Sequence, residues 1–242
     1  MPTTLQNAMI GEELRTAVSL LKYGLRELNR VDGANDFYHP PLLLLASGFE
    51  RLLKVIICCH HLATKARFPD RRAFPKGRKG HNLAILLDTV TQNCFSDSYL
   101  ARIPAAEQDI LFLRKDAQLK RIVEILSDFG QGARYYNLNV VLGEADPGPC
   151  PDDEWQKLEM EMLQEDPLWE TKIRDPKQSD AIYRQINNRL TAHCERLARS
   201  LSRLFTIGGL GELARQISGH TYHFLTLMDQ QLGTTDYDSV KI

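Results

Sequence analysis

The stretch PPLLLLASGFERLLKVII, residues 40–57, decides the fold. Pro40 and Pro41 stand where a helix can begin, and Leu42 to Leu45, Phe49, Leu52, Leu53, Val55, Ile56 and Ile57 follow as one long apolar segment. This predicts a helix at the centre of the core. Upstream, Leu14, Val18, Leu21, Leu25 and Leu28 recur every three or four residues from Ile10 to Arg30, an amphipathic helix that the turn-formers Asp32 to Asp36 bring to an end.

Downstream, residues 64–80 change character. Lys65, Arg67, Arg71, Arg72, Lys76, Arg78 and Lys79 alternate with Pro69, Pro75, Gly77 and Gly80, which reads as a basic loop. A third helix starts near His81 and turns Leu83, Leu86, Leu87 and Val90 inward, with Pro104 in the connection after it. From Ala105 to Leu142 the spacing is again helical, as one kinked helix or as two, with Gly130 and Gly132 as the interruption. Residues 144–170 hold ten acidic residues and one lysine among four prolines, which predicts an exposed insertion with a short helix near Asp153 to Gln164. Ala181 to Phe205 forms a further amphipathic helix, and Glu212 to Leu232 a last one that stops at Gly233 before a frayed tail.

No segment sustains the alternation of a strand. The expectation is an all-α, up-and-down bundle of about six or seven helices with an acidic insertion. Residues 1–143 are its core, 144–178 the insertion, and 179–242 the helices that complete or extend it. Thirty Lys and Arg balance 31 Asp and Glu, so any charged function must be local. The first residues lack the pattern of a secretory signal, no stretch approaches a membrane span, and the five cysteines form no regular framework; a cytoplasmic protein is expected.

Among candidate sites, Cys58, Cys59, His60 and His61 have metal-like composition. Consecutive helical residues point about 100° apart, so they do not converge on one ion, and no metal or other cofactor is expected. The loop cations Arg67, Arg71, Arg72, Lys76, Arg78 and Lys79 are the candidate nucleic-acid contacts, with Phe68 and Phe74 available to stack on bases. Arg189 and His193 lie one turn apart, so an imidazole able to move a proton sits beside a guanidinium able to hold a phosphate; metal-free RNA cleavage needs that pair. The competing reading makes Arg189, Arg196, Arg199 and Arg203 the solvated side of an amphipathic helix. No glycine-rich phosphate loop, paired-histidine zinc signature or serine elbow is present.

Three local features together resemble the HEPN superfamily of small helical domains. Glu50-Arg51-Leu52-Leu53-Lys54 is similar to its Glu-x-x-x-Lys element, His81-Asn82-Leu83 to its His-x-Leu helix start, and Arg134-Tyr135 to its later Arg-Tyr pair. The likeness spans roughly Leu42 to Leu142. It implies a helical bundle, a homodimer, and association with RNA or nucleotides in toxin, defence or RNA-processing systems. The nuclease branch carries an arginine followed after four to six residues by histidine; Arg189 and His193 have three residues between them and lie outside the matching region. The alternative to an RNA- or nucleotide-associated protein is a non-catalytic module that docks a protein partner or a second copy of itself. No membrane partner is expected.

Overall fold

The computed structural model describes every residue except 1, 33, 75–76, 168, 170–175 and 241–242; positions 78, 176, 177 and 179 are described in backbone only. The fold is all-α. Seven helices of eleven or more residues stand among the described residues: α1 (Thr4–Leu28), α2 (His39–Lys65), α3 (Leu83–Asn93), α5 (Pro104–Lys115), α6 (Ala117–Gln131), α8 (Pro151–Leu163) and α9 (Pro176–Thr206). Shorter ones are α4 (Asp97–Arg102), α7 (Tyr136–Val141), α10 (Glu212–Ile217) and α11 (Tyr222–Leu225).

α1 and α2 form the most extensive helix pair. Their apolar stripes meet, and a glycine on each admits a leucine of the other. A Cβ on Gly24 would lie 2.8 Å from Leu45, and one on Gly48 would lie 2.8 Å from Leu21. α1 begins earlier than its apolar stripe, because Thr3 and Gln6 close a capping box of 3.1 Å and 2.9 Å. α3, α6 and α9 pack against α2, so the leucine-rich stretch lies at the centre of one continuous core.

Three segments depart from the sequence reading. The 105–142 region is three helices: Asp116 leaves helical geometry and caps α6 by accepting from the Leu119 N–H at 2.8 Å, and Gly132 ends α6. α8 is a core element, with Trp155, Leu158 and Met162 buried while its carboxylates, Glu159 excepted, remain at or near the surface. The expected helix 212–232 is instead α10, a 3-10 turn, α11 and a second 3-10 turn. The tail after it is anchored, since Glu195 accepts from the Gly233 N–H at 2.6 Å and from the Tyr237 hydroxyl at 2.7 Å. Among the described residues, no helix is long and apolar enough to cross a membrane.

Candidate functional site

α2 runs out at Lys65 and Ala66 takes a left-handed conformation that turns the chain into the basic loop. Both ends of the loop are tied back to α2. His61 Nδ1 lies 2.8 Å from the Arg67 carbonyl, and at the far end His81 Nδ1 lies 2.9 Å and 3.1 Å from the two oxygens of Glu50. Between them Asp70 caps a short 3-10 turn by accepting from the Arg72 N–H at 2.7 Å, and Phe74 packs on the core with Lys54 Nζ 5.9 Å from its ring. The sequence reading offered Phe74 to a base; half-buried under Lys54, it pins the loop instead.

Glu50 is the hub. Its Oε1 also accepts from Lys54 Nζ at 2.6 Å, so one largely buried carboxylate holds an ammonium and fixes the orientation of an imidazole. The carboxylate engages Nδ1, and the other nitrogen, Nε2, makes no hydrogen bond with a described residue. Spacing within α2 announces Glu50 with Lys54; the 31 residues to His81 leave that partner unreadable.

The cations themselves are exposed. Arg67, Arg71, Arg72 and Lys79 are on the surface, and no described carboxylate forms an ion pair with any of them. Lys76 lies outside the described residues, as does the side chain of Arg78. The acidic segment is used elsewhere: Glu154 binds Arg121 and Lys157, and Glu165 binds Arg189. Lys65 also complements the negative pole of the α2 C-terminus, whereas Arg67, Arg71, Arg72 and Lys79 lie beyond its last turn.

The structure brings Glu50, Lys54 and His81 together. Gly130 of α6 packs against His81, where an added Cβ would meet its carbonyl at 3.2 Å, and Arg134 and Tyr135 follow a turn later. Arg134 lies over the Tyr135 ring at 5.0 Å, and its Nε is buried without a partner.

Arg189 and His193 are engaged in contacts that join helices. Arg189 donates to the Met162 carbonyl at 3.2 Å and to Glu165 at 2.7 Å, closing the C-terminus of α8. His193 Nδ1 lies 2.8 Å from the Arg189 carbonyl and Nε2 3.5 Å from Asp116. No described hydrogen bond or ion pair links them to the basic loop. The solvated arginine face is also corrected: Arg199 is buried and donates to the Leu227 carbonyl and Asp229, and Arg203 binds buried Asp109 at 2.8 Å. At the cysteine–histidine run, burial pushes the Cys58 and Cys59 thiols up to about 11 and about 12, so both stay protonated near neutrality.

No family model, curated protein or solved structure compared with this chain gives a match.

Proposed function

We propose that this chain is a HEPN-like protein associated with RNA or nucleotides, holding phosphate on the loop between α2 and α3. The observation that carries the reading is a set of four exposed cations, Arg67, Arg71, Arg72 and Lys79, free of described ion pairs on a strap tied down at both ends. A loop anchored at both ends loses less entropy on binding than a free one, and unpaired guanidinium groups suit phosphate geometry. The Glu50–Lys54–His81 cluster supports the family likeness and sets the strap's far end. Arg189 and His193 take no part in this reading.

Binding of a short single-stranded RNA should fall steeply with salt, by a log–log slope of about −0.7 for each phosphate neutralised. Arg71→Ala, Arg72→Ala and Lys79→Ala together should flatten that slope by about 2. Salt-insensitive binding, or equal affinity of the triple variant, would overturn the proposal; a nucleoside triphosphate run in parallel separates nucleotide from RNA.

A second reading, self-association as a homodimer, draws on α7. None of its residues is buried, and Tyr135, Leu138, Val140, Val141 and Leu142 form an exposed apolar run, Val141 being 80% exposed. A concentration-dependent mass that Val141→Asp returns to 27.6 kDa supports it. A single mass of one chain at every concentration removes it.

A further inference from the structure

Glu50 joins the strap to α2 at one place and leaves one polar atom there unused. Lys54 Nζ reaches its Oε1 at 2.6 Å, and His81 Nδ1 lies 3.1 Å and 2.9 Å from Oε1 and Oε2. Phe74 sits beside the same ammonium, with Nζ 5.9 Å from its ring. Arg71 and Arg72 lie on the 3-10 turn directly before Phe74, and Lys79 shares the second 3-10 turn, Gly77–His81, with the imidazole. Both cationic turns of the strap are therefore fastened at Lys54 and Glu50.

The Glu50 side chain is 18% exposed and that of His81 42%. His81 Nε2 has no hydrogen-bond partner among the described residues, and unlike the buried, unpartnered nitrogens of Arg134 and His223 it is open to solvent. Nδ1–H donates to the carboxylate, so the proton that comes and goes is the one on Nε2. Lys54 already balances the charge of Glu50. Protonation of Nε2 thus gives the cluster a net positive charge and a donor on the same turn as Lys79. Other charges near the ring are few. α6 approaches His81 through Gly130, and the charged residues on either side of that glycine, Asp128 and Arg134, form no ion pair with the imidazole. α3 carries no charged residue before Asp88.

We infer that His81 is itself a ligand contact of the strap, its protonated Nε2 donating to a phosphate oxygen, and that Glu50 is the residue that positions it. The inference rests on the phosphate reading of the strap and adds a dependence on pH. A neutral ring turns a lone pair toward the ligand and gives nothing to a phosphate oxygen, whereas a protonated ring gives a charge-assisted hydrogen bond. Affinity therefore falls as pH rises and the imidazole loses its proton, while the arginines and lysine of the strap keep their charge.

The test measures binding of a short single-stranded RNA with hydroxyl ends to the full chain, from about pH 5.5 to about pH 8. Such a strand carries only diesters, whose charge is constant over this range. Parent affinity should fall about fivefold across it, the size of one exposed charged contact. His81→Gln should match the parent at the upper pH and lose the dependence, although His60 and His61 remain in it. Glu50→Gln keeps an acceptor for Nδ1 without the charge, so the fall should move to lower pH. In the parent itself, nitrogen NMR of the imidazole rings should show His81 Nε2 holding its proton to higher pH in the saturated complex than in the free chain. A 5′-phosphate on the same strand separates the sources: a gain in affinity that His81→Gln abolishes assigns the contact to the terminal group, and a gain that it keeps, or no gain, to a diester. Steeply salt-dependent binding with a pH profile that His81→Gln leaves unchanged, or a ring titration that saturation does not move, overturns the inference and spares the strap reading. No binding at any pH removes both.

Discussion

Replacing Glu159 by glutamine separates the charge of this buried carboxyl from its shape. Burial pushes the group up from 4.5 to about 7, against hydrogen bonds from Tyr38 and Trp155 that favour the anion. Each tenfold preference for the protonated form is about 1.4 kcal/mol, so the displacement costs the ionised fold about 3 kcal/mol. The direction follows from the order of the two values. Below pH 4.5 the carboxyl is protonated in both the folded and the unfolded chain, and the fold bears no penalty. As pH rises the unfolded chain ionises first, stability falls, and the loss is complete once pH has passed through about 7.

Glutamine stays neutral at every pH and still accepts from the Tyr38 hydroxyl. Urea unfolding from pH 5 to 8 should therefore show the variant gaining on the parent by about 2.5 kcal/mol as pH rises. Only the difference between the two proteins is diagnostic. Burial lowers His223 to about 4, which raises stability between pH 4 and 6.5, and Glu195 is raised by burial in the same sense as Glu159. Both contributions are common to parent and variant and cancel if distant sites add. A difference that stays flat within about 0.5 kcal/mol over this range would refute the argument.

The close crossing of α1 and α2 predicts that Gly48→Ala, whose Cβ would lie 2.8 Å from Leu21, lowers stability by about 1–3 kcal/mol through overpacking. A loss below about 0.5 kcal/mol in thermal unfolding would mean that the helices do not approach so closely. Trp155, fully buried on α8, should cost about 3–5 kcal/mol when changed to alanine. An unchanged denaturation midpoint would return the acidic segment to the status of an exposed insertion.

The helices read most clearly from sequence are those whose buried residues form unbroken stripes. Leu14, Val18, Leu21, Leu25 and Leu28 mark α1, and each of them is buried. Periodicity fails where burial depends on single anchors. Phe224 and Tyr237 hold the C-terminal region against α9 without repeating, so a run read as one helix is really two short helices among 3-10 turns. It fails again at α8, because ten carboxylates dominate the composition of 144–170 while three apolar residues decide where the helix packs.

Polar residues obey the same logic. Composition exposes the basic loop, since glycine, proline and clustered charge give one answer. By contrast, an arginine on a helix looks solvated until its partner is located, and here the partners are remote in sequence. Arg203 meets Asp109 across 94 residues, Glu159 meets Tyr38 across 121, and Thr191 meets Asn29 across 162. A rule about residues three or four apart ranks positions on one helix and is silent on these pairs. The buried polar groups of α8 and α9 are thus where sequence reading loses the candidate sites. Arg189 and His193 are read from sequence by their spacing on one helix, whereas their contacts with Met162, Glu165 and Asp116 appear only in the structure. Glu159 looked like one surface acid among ten for the same reason, although its environment differs from that of every exposed carboxylate around it.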